Sequence, residues 1–465
     1  MLPKSRALLL YPSLSIAAWL AIGCGGSSTT ATNSTSSNTT TGPAFVIGTD
    51  APAAGVVSFS VQLQSISAVD SSGKQVPLLS GSPTIDFARY NGLQTLLDMN
   101  DVPVGTYTGV HIALGSATIG YLQTQAGQPA VIQTETATFT SSTIDVTLAS
   151  PLVVAQSEPV GLRVDFDLKK SIAVDGSGQI TGQVTPTFNI KAVAPSDPDA
   201  FIDEFDAGVV SVNASAQSFV IQGPHGRQFT VLVSGQTEFD NGESLTDLTT
   251  SSIVQISGSL DRADSTIDAT EVAILSQDSF YAAGQITYVQ PSSGTATDFD
   301  LYVRGLLPTS TGLSLGQIAQ INLQGTEKYF IYWMHNPLTQ FVFNSHSLLP
   351  GQHVSVGGPA SGAANSQAVT VKRVVLRDWG FNGTVVAGSV DTVNRTFQMT
   401  VNGFAGQLIT GPVTVYVGGG TAFRDGLSGL SSLSITANVR VVGLLIEDPL
   451  SGGPIILARY LDILN

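Results

Sequence analysis

An apolar alternation with a period of two recurs along almost the whole chain, and it limits the fold more than any other feature. Val57, Phe59, Val61 and Leu63 alternate with small or polar residues. The same pattern returns at Ile144, Val146 and Leu148; at Val164, Phe166 and Leu168; at Phe229, Val231 and Val233; and at Phe397, Met399 and Val401. Period two places each set on one face of a β-strand. Gly, Pro and Asn separate the runs, as expected of strands joined by turns. Helical periodicity nowhere exceeds two turns. The best short helical candidate is Gly92–Asn100 (GLQTLLDMN). Only 11% of the 465 residues are charged, whereas Gly numbers 48 and Pro 22, which further disfavours helices. With 42% apolar residues the chain can bury several cores, so it is not disordered as a whole. The fold class read from these patterns is all-β.

The N-terminus reads as an export signal. Lys4 and Arg6 precede a mostly apolar stretch, Ala7 to Ile22, which is short for a membrane span of ~20 residues. It ends in Ala21-Ile22-Gly23-Cys24, which resembles the lipobox of bacterial lipoproteins. That resemblance implies cleavage before Cys24 and acylation of its thiol. Residues 1–23 are thus expected to be a lipoprotein signal peptide. Cys24 is the sole cysteine, which excludes an intramolecular disulfide and a cysteine-rich metal site. Residues 24–44 read as the lipidated Cys and a flexible Ser/Thr/Gly tether. Gly25 takes the place of an inner-membrane retention Asp, which favours the outer membrane.

Three motifs mark a first module at 45–194. It opens with Thr49-Asp50-Ala51-Pro52. Midway comes Val102-Pro103-Val104-Gly105-Thr106-Tyr107, a turn built on Pro103 and Gly105 that leads into a strand. It closes with Val164-Asp165-Phe166-Asp167-Leu168-Lys169-Lys170-Ser171. Together these motifs resemble the bacterial family called domain of unknown function 4382, found on secreted and lipid-anchored proteins. The resemblance implies a β-sandwich of prealbumin or immunoglobulin type and no established activity.

After an acidic linker, 195–206, a divergent repeat occupies 207–276, 281–377 and 380–465. Each copy opens a strand at a Gly (Gly208, Gly284, Gly383) and starts the next at a Phe (Phe219, Phe299, Phe397). Each has a late V-x-V strand ending in Gly (Gly258, Gly357, Gly443). The opening glycines are spaced unevenly, which argues for three small β-barrel-like modules in tandem and against a propeller. The pattern is similar to the secreted family of unknown function numbered 5666. Cleavage by protease is expected first in the tether, then near 195–206, 276–283 and 377–382.

Candidate chemistry is sparse. Gly312-Leu313-Ser314-Leu315-Gly316 fits the G-x-S-x-G elbow but lacks the strand-to-helix setting, and reads as a loop. The five histidines, His111, His225, His335, His346 and His353, have no metal-ligand spacing, so no metal or cofactor is expected. Asp197, Asp199, Asp203, Glu204 and Asp206 are weak Ca²⁺ candidates in what reads as a solvated linker. Asp165 and Asp167 share one strand face and read as an exposed face paired with Lys169 and Lys170. Tyr329, Tyr332 and Trp333, with His335 just beyond, form the densest aromatic run and a possible binding surface in the middle repeat. The net charge of −15 and the lack of a basic run exclude nucleic acid as a partner. The expected function is non-enzymatic binding or scaffolding at the cell envelope, with a polysaccharide or envelope protein as partner and Cys24 in the bilayer. The alternative is a secreted glycan hydrolase using paired carboxylates.

Overall fold

Strands dominate because the period-two alternation gives each a face of apolar side chains to bury. The computed structural model describes residues 40–464 except 52–54, 124–130, 177–178, 224–225, 261–263, 265, 309–311, 333–340, 360–367, 425–426 and 434–436. Cys24, the signal segment, His225, Trp333 and His335 lie outside the described residues. Among those residues no helix is long and apolar enough to cross a membrane.

The first module is a sandwich. One sheet runs in the order Phe188–Val193, Val160–Asp167, Thr41–Ala51, Thr95–Pro103, with the two middle strands parallel. The facing sheet is built on the long pair Val56–Asp70 and Gly105–Gln123. Phe59, Val61, Leu63, Val164 and Phe166 fill the space between them. Phe166 sits among Phe59, Phe87 and Phe188, with ring centroids 5.0, 5.4 and 4.3 Å away. The segment expected to favour a helix is instead the edge strand Thr95–Pro103, paired antiparallel with Thr41–Ala51. Leu97 faces the sandwich core, while Leu96 and Met99 pack against the next module. An apolar run buried on both sides has no clear period, so periodicity alone cannot identify it.

The three repeats share one strand order. In the first, Ile202–Asn213, Ser218–Gln222, Gln228–Leu232, Ile253–Ser259 and Thr266–Ser276 close a barrel, because the third and fifth strands pair in parallel. The last repeat closes likewise from Trp379–Val385, Thr396–Val401, Val413–Phe423, Asn438–Glu447 and Pro454–Ile463. In the middle repeat the fifth strand is split into Ala368–Thr370 and Arg373–Arg377, which pair separately with Ile318–Asn322 and Lys328–Ile331. Gly443 is required by a close approach: a Cβ there would lie 2.0 Å from the Leu457 carbonyl oxygen of the neighbouring strand. Gly312–Gly316 falls in the loop between two strands of the middle repeat.

The modules are not independent beads. Phe45, Ile47, Leu96 and Met99 of the sandwich share a core with the first barrel. Leu444, Ile446, Ile455 and Leu457 of the last barrel join the core of the middle one. The joint after residue 377 is closed, since Arg377, Asp378, Trp379 and Phe381 are all buried. Nor is the expected linker solvated throughout. Asp203, Glu204 and Asp206 lie in the first barrel's opening strand and are nearly inaccessible.

Those acids meet arginines from two other modules. Arg89 of the sandwich and Arg377 of the middle repeat both bind Glu204 and Asp206, and Arg377 lies 3.1 Å from Asp206 Oδ1. Tyr281 donates its hydroxyl hydrogen to Asp206. Burial pushes the Asp206 carboxyl up, but the Arg377 and Arg89 guanidinia outweigh it and hold it down to about 2. Asp203 accepts from the Gln94 amide N–H at 3.1 Å and from the Tyr460 hydroxyl at 3.3 Å. Nearby, Arg459 of the last barrel binds Asp378 at 2.9 Å and approaches Glu271 of the first at 3.6 Å.

Removing one member of a buried ion cluster strands the rest. Arg377→Met should cost about 3–5 kcal/mol in urea denaturation, whereas Lys372→Met, which breaks an exposed pair with Asp278, should cost less than about 1. Because Asp206 ionises at lower pH when folded, its stabilisation is present above the unfolded value of ~3.9 and is lost as pH falls toward about 2. Arg377→Met should flatten that part of the acid unfolding curve.

Candidate functional site

Two sequence motifs that lie more than a hundred residues apart meet in one cleft. Asp50 is the penultimate residue of the strand Thr41–Ala51, and its parallel neighbour carries Arg163, Asp165 and Asp167, with Thr49 opposite Asp165 and Ala51 opposite Asp167. Asp167 then caps a single helical turn, Leu168–Ser171, by accepting from the Lys170 amide N–H at 3.0 Å. Its other oxygen pairs with Lys170 Nζ at 2.6 Å. This turn brings Lys169 and Lys170 to the rim.

The opposite wall comes from the other modules. Trp379, Asn382, Asn402, Phe404, Asn438 and Arg440 belong to the last barrel, and Gln285 and Arg304 to the middle one. The cleft encloses about 630 Å³. Its walls are fixed by direct contacts. Asn91 of the sandwich donates from Nδ2 to the Gly380 carbonyl at 2.9 Å, and a Cβ on Gly380 would lie 2.1 Å from the Asn91 carbonyl oxygen. Tyr302 donates to Ser58 Oγ at 3.0 Å and stacks edge-on against Phe404 at 5.6 Å. The Arg304 guanidinium lies 4.5 Å from the centre of the Trp379 ring, with Nη1 donating to Gln285 at 3.0 Å.

The electrostatics single out Asp50. It is 2% exposed, and its carboxyl oxygens have no side-chain hydrogen-bond partner. Burial raises its pKa well above the usual carboxylate range. Asp165 and Asp86 add to the shift, while the Leu168 amide and Arg440 oppose it. Burial raises Asp165 as well, against the pull of Arg163. Asp165 and Asp167 are therefore not the exposed ion-paired face expected from the sequence: both are buried and line the cleft.

The remaining sequence candidates lie elsewhere. Tyr332 is fully buried, with its hydroxyl 3.0 Å from Ser257 Oγ. Tyr329 is partly buried against Phe343, at 5.7 Å between ring centres, and burial pushes its hydroxyl up to about 12. Asp197 and Asp199 pair with Lys191 at 3.3 and 2.8 Å. Asp203, Glu204 and Asp206 engage the partners described above, so the five acidic residues fall into three separate groups. Among the described residues no three acidic, His or Cys side chains form a metal-binding group. His111 contacts Asp145 at 2.7 Å, His346 contacts Thr295 at 2.7 Å, and His353 is buried against Trp379. The cleft itself was not legible in the sequence. The motif acids Asp50, Asp165 and Asp167 were the available signal, but their opposing wall comes from residues 285–440.

A buried carboxyl with a raised pKa binds a proton more tightly in the folded state than in the unfolded chain. Its contribution is complete below the unfolded value of ~3.9 and is lost as pH rises through the folded-state value. Asp50→Asn should therefore melt above the wild type at pH 8, with the gap closing as pH falls toward 4. Differential scanning fluorimetry across that range checks this, and a variant that melts lower at pH 8 would contradict it.

Comparison with curated proteins found no match. Comparison with family models found two, both domains of unknown function. Residues 207–273, most of the first barrel, match DUF5666. Residues 43–182, which carry Asp50 and the Asp165–Lys170 segment, match DUF4382, so the sandwich wall of the cleft falls within that match.

Proposed function

We propose that this protein is a non-enzymatic binding protein of the cell envelope, tethered through an acylated Cys24, with an oligosaccharide as the ligand of its cleft. The observation that carries the reading is the lining: Asn91, Asn382, Asn402, Asn438 and Gln285 stand beside charged groups and the rings of Trp379 and Phe404. Amides both donate and accept, as sugar hydroxyls do, and a few polar groups set among apolar surface are the usual makeup of a small-ligand site. The volume suits one or two sugar rings rather than a protein segment. A glycan hydrolase would draw on the same carboxylates. It is favoured by one feature, the contrast between Asp50, whose pKa burial raises, and the ion-paired Asp167.

Calorimetric titration with a panel of defined hexasaccharides tests the binding reading. Asn402→Ala and Asn438→Ala, both at exposed rim positions, should each weaken a bound sugar by about threefold to tenfold, the value of one hydrogen bond. Failure of every sugar to bind would overturn the reading, and release of new reducing ends during incubation would favour the hydrolase. The anchor is tested separately. Cys24→Ser should abolish incorporation of a palmitate analogue and move the protein out of the membrane fraction, and a variant that still labels would refute the lipid anchor.

A further inference from the structure

The cleft inverts the charge balance of the chain. Acids outnumber bases 34 to 19 over the whole sequence. The cleft lining instead carries five cationic side chains, Arg163, Lys169, Lys170, Arg304 and Arg440, against three carboxyls. The two signs also differ in how far they can be reached. The three carboxyls are buried, and Asp462 and Asp86, which pair with Arg440 and Arg304 from outside the lining, are buried too. The Asp165 side chain is 12% exposed and that of Asp167 5%. By contrast Arg163 is 26% exposed, Arg440 16% and Lys170 66%. Arg304 is the buried exception, held against the Trp379 ring. The acids thus hold the cations in place from behind, and the charge that a ligand can reach is positive.

Two guanidinia stand out among these cations. Arg163 comes from the sandwich wall and Arg440 from the last barrel, and both act on the same acid, each favouring the ionised form of Asp165. Arg163 has only loose partners, with Asp165 and Asp199 each 3.8 Å away. Arg440 gives Nε and Nη2 to Asp462 at 3.0 and 2.9 Å, and no described residue bonds its Nη1. A guanidinium offers five N–H donors in a planar fork that fits a carboxylate or a sulfate, so each retains donors for a ligand. Asn382 pairs with Arg440 across the neighbouring strand, and Asn438, two residues before Arg440, shares its face. Amides of this kind suit sugar hydroxyls, whereas a neutral sugar calls for no guanidinium. Resting on the saccharide reading above, we propose that the cleft's ligand is an acidic sugar, whose carboxylate or sulfate group is bound between Arg163 and Arg440. The rest of the chain supports selectivity for this site. A protein of net charge −15 repels a polyanion in general, so an acidic saccharide is drawn only to a local patch of opposite sign.

The test uses the full-length protein in calorimetry at neutral pH against a galacturonic acid hexamer, its fully methyl-esterified form and a sulfated galactose hexamer. The ester keeps the rings and removes the charge. The wild type should bind an acidic hexamer at least about tenfold more tightly than the ester, as charge-assisted bonds to a guanidinium require, and added salt should weaken that binding. Preference for the galacturonic acid hexamer supports a carboxylate as the bound group, and preference for the sulfated hexamer supports a sulfate. Arg163→Gln, which breaks no close ion pair, should remove most of the preference while leaving affinity for the ester unchanged. Arg163→Lys should restore part of it. Equal affinity of the wild type for all three, or binding of the ester alone, overturns the acidic-sugar assignment and leaves the saccharide reading standing. Failure of these and of every neutral hexasaccharide to bind overturns both. Full preference retained in Arg163→Gln overturns the role given to Arg163.

Discussion

Two carboxylates, Glu204 and Asp206, hold three modules in register. Arg89 reaches them from the sandwich and Arg377 from the end of the middle repeat, while Tyr281 closes the cluster. A buried ion cluster contributes little net stability compared with apolar packing, because each charge must first be dehydrated. Its effect is selective. Any arrangement that separates the modules without rehydrating these groups leaves a bare charge inside, whereas apolar surfaces tolerate sliding. The cores shared between neighbouring modules supply the adhesion, and the ion cluster sets which adhesion geometry is allowed.

The cleft is a consequence of that geometry. The sandwich contributes Asp50, Asp165 and Asp167, and the last barrel contributes Asn382, Asn402, Asn438 and Arg440. These walls are distant in sequence, so neither family domain on its own would form the site. The bond between Asn91 and Gly380 pins the floor, and the contact of Tyr302 with Ser58 and Phe404 pins one side. Arg440 does double duty: it is bound to Asp462 within its own barrel, and it lowers the cost of ionising Asp50 across the gap.

The strands and the repeated modules were legible in the sequence because period-two alternation reports burial on one face, and most strands here bury one face first. Two kinds of element escaped it. Thr95–Pro103 is buried on both faces, so its period vanishes and its Leu-rich run imitates a helix. The strand opening the first barrel reads IDEFDAG, acids interleaved with apolar residues, which looks like a solvated linker. Its acids are buried because Arg89 and Arg377 stand opposite, and these are separated from Glu204 by 115 and 173 residues. A one-dimensional pattern reports the face a residue turns inward but not the charge that waits there. The candidate site failed to appear for the same reason. Its acids were visible as Asp50, Asp165 and Asp167, but their burial depends on a wall built more than a hundred residues later.

Asp50 and Asp206 show the two fates of a carboxylate removed from water in one protein. Both are buried, and in both the loss of hydration is the largest influence on the pKa. Asp206 faces two guanidinia and a tyrosine hydroxyl, which more than offset the penalty, so it stays ionised and acts as structure. Asp50 faces another acid, and burial outweighs the opposing Leu168 amide and Arg440, so its pKa is raised. A purely structural role would be served better by Asn, or by Asp with an arginine opposite, as the first barrel demonstrates with its own acids. Unpaired buried polarity is destabilising and is found where a site must recognise something. Asp206 is thus held ionised by the charges that join the modules, whereas nothing of comparable strength opposes the burial of Asp50.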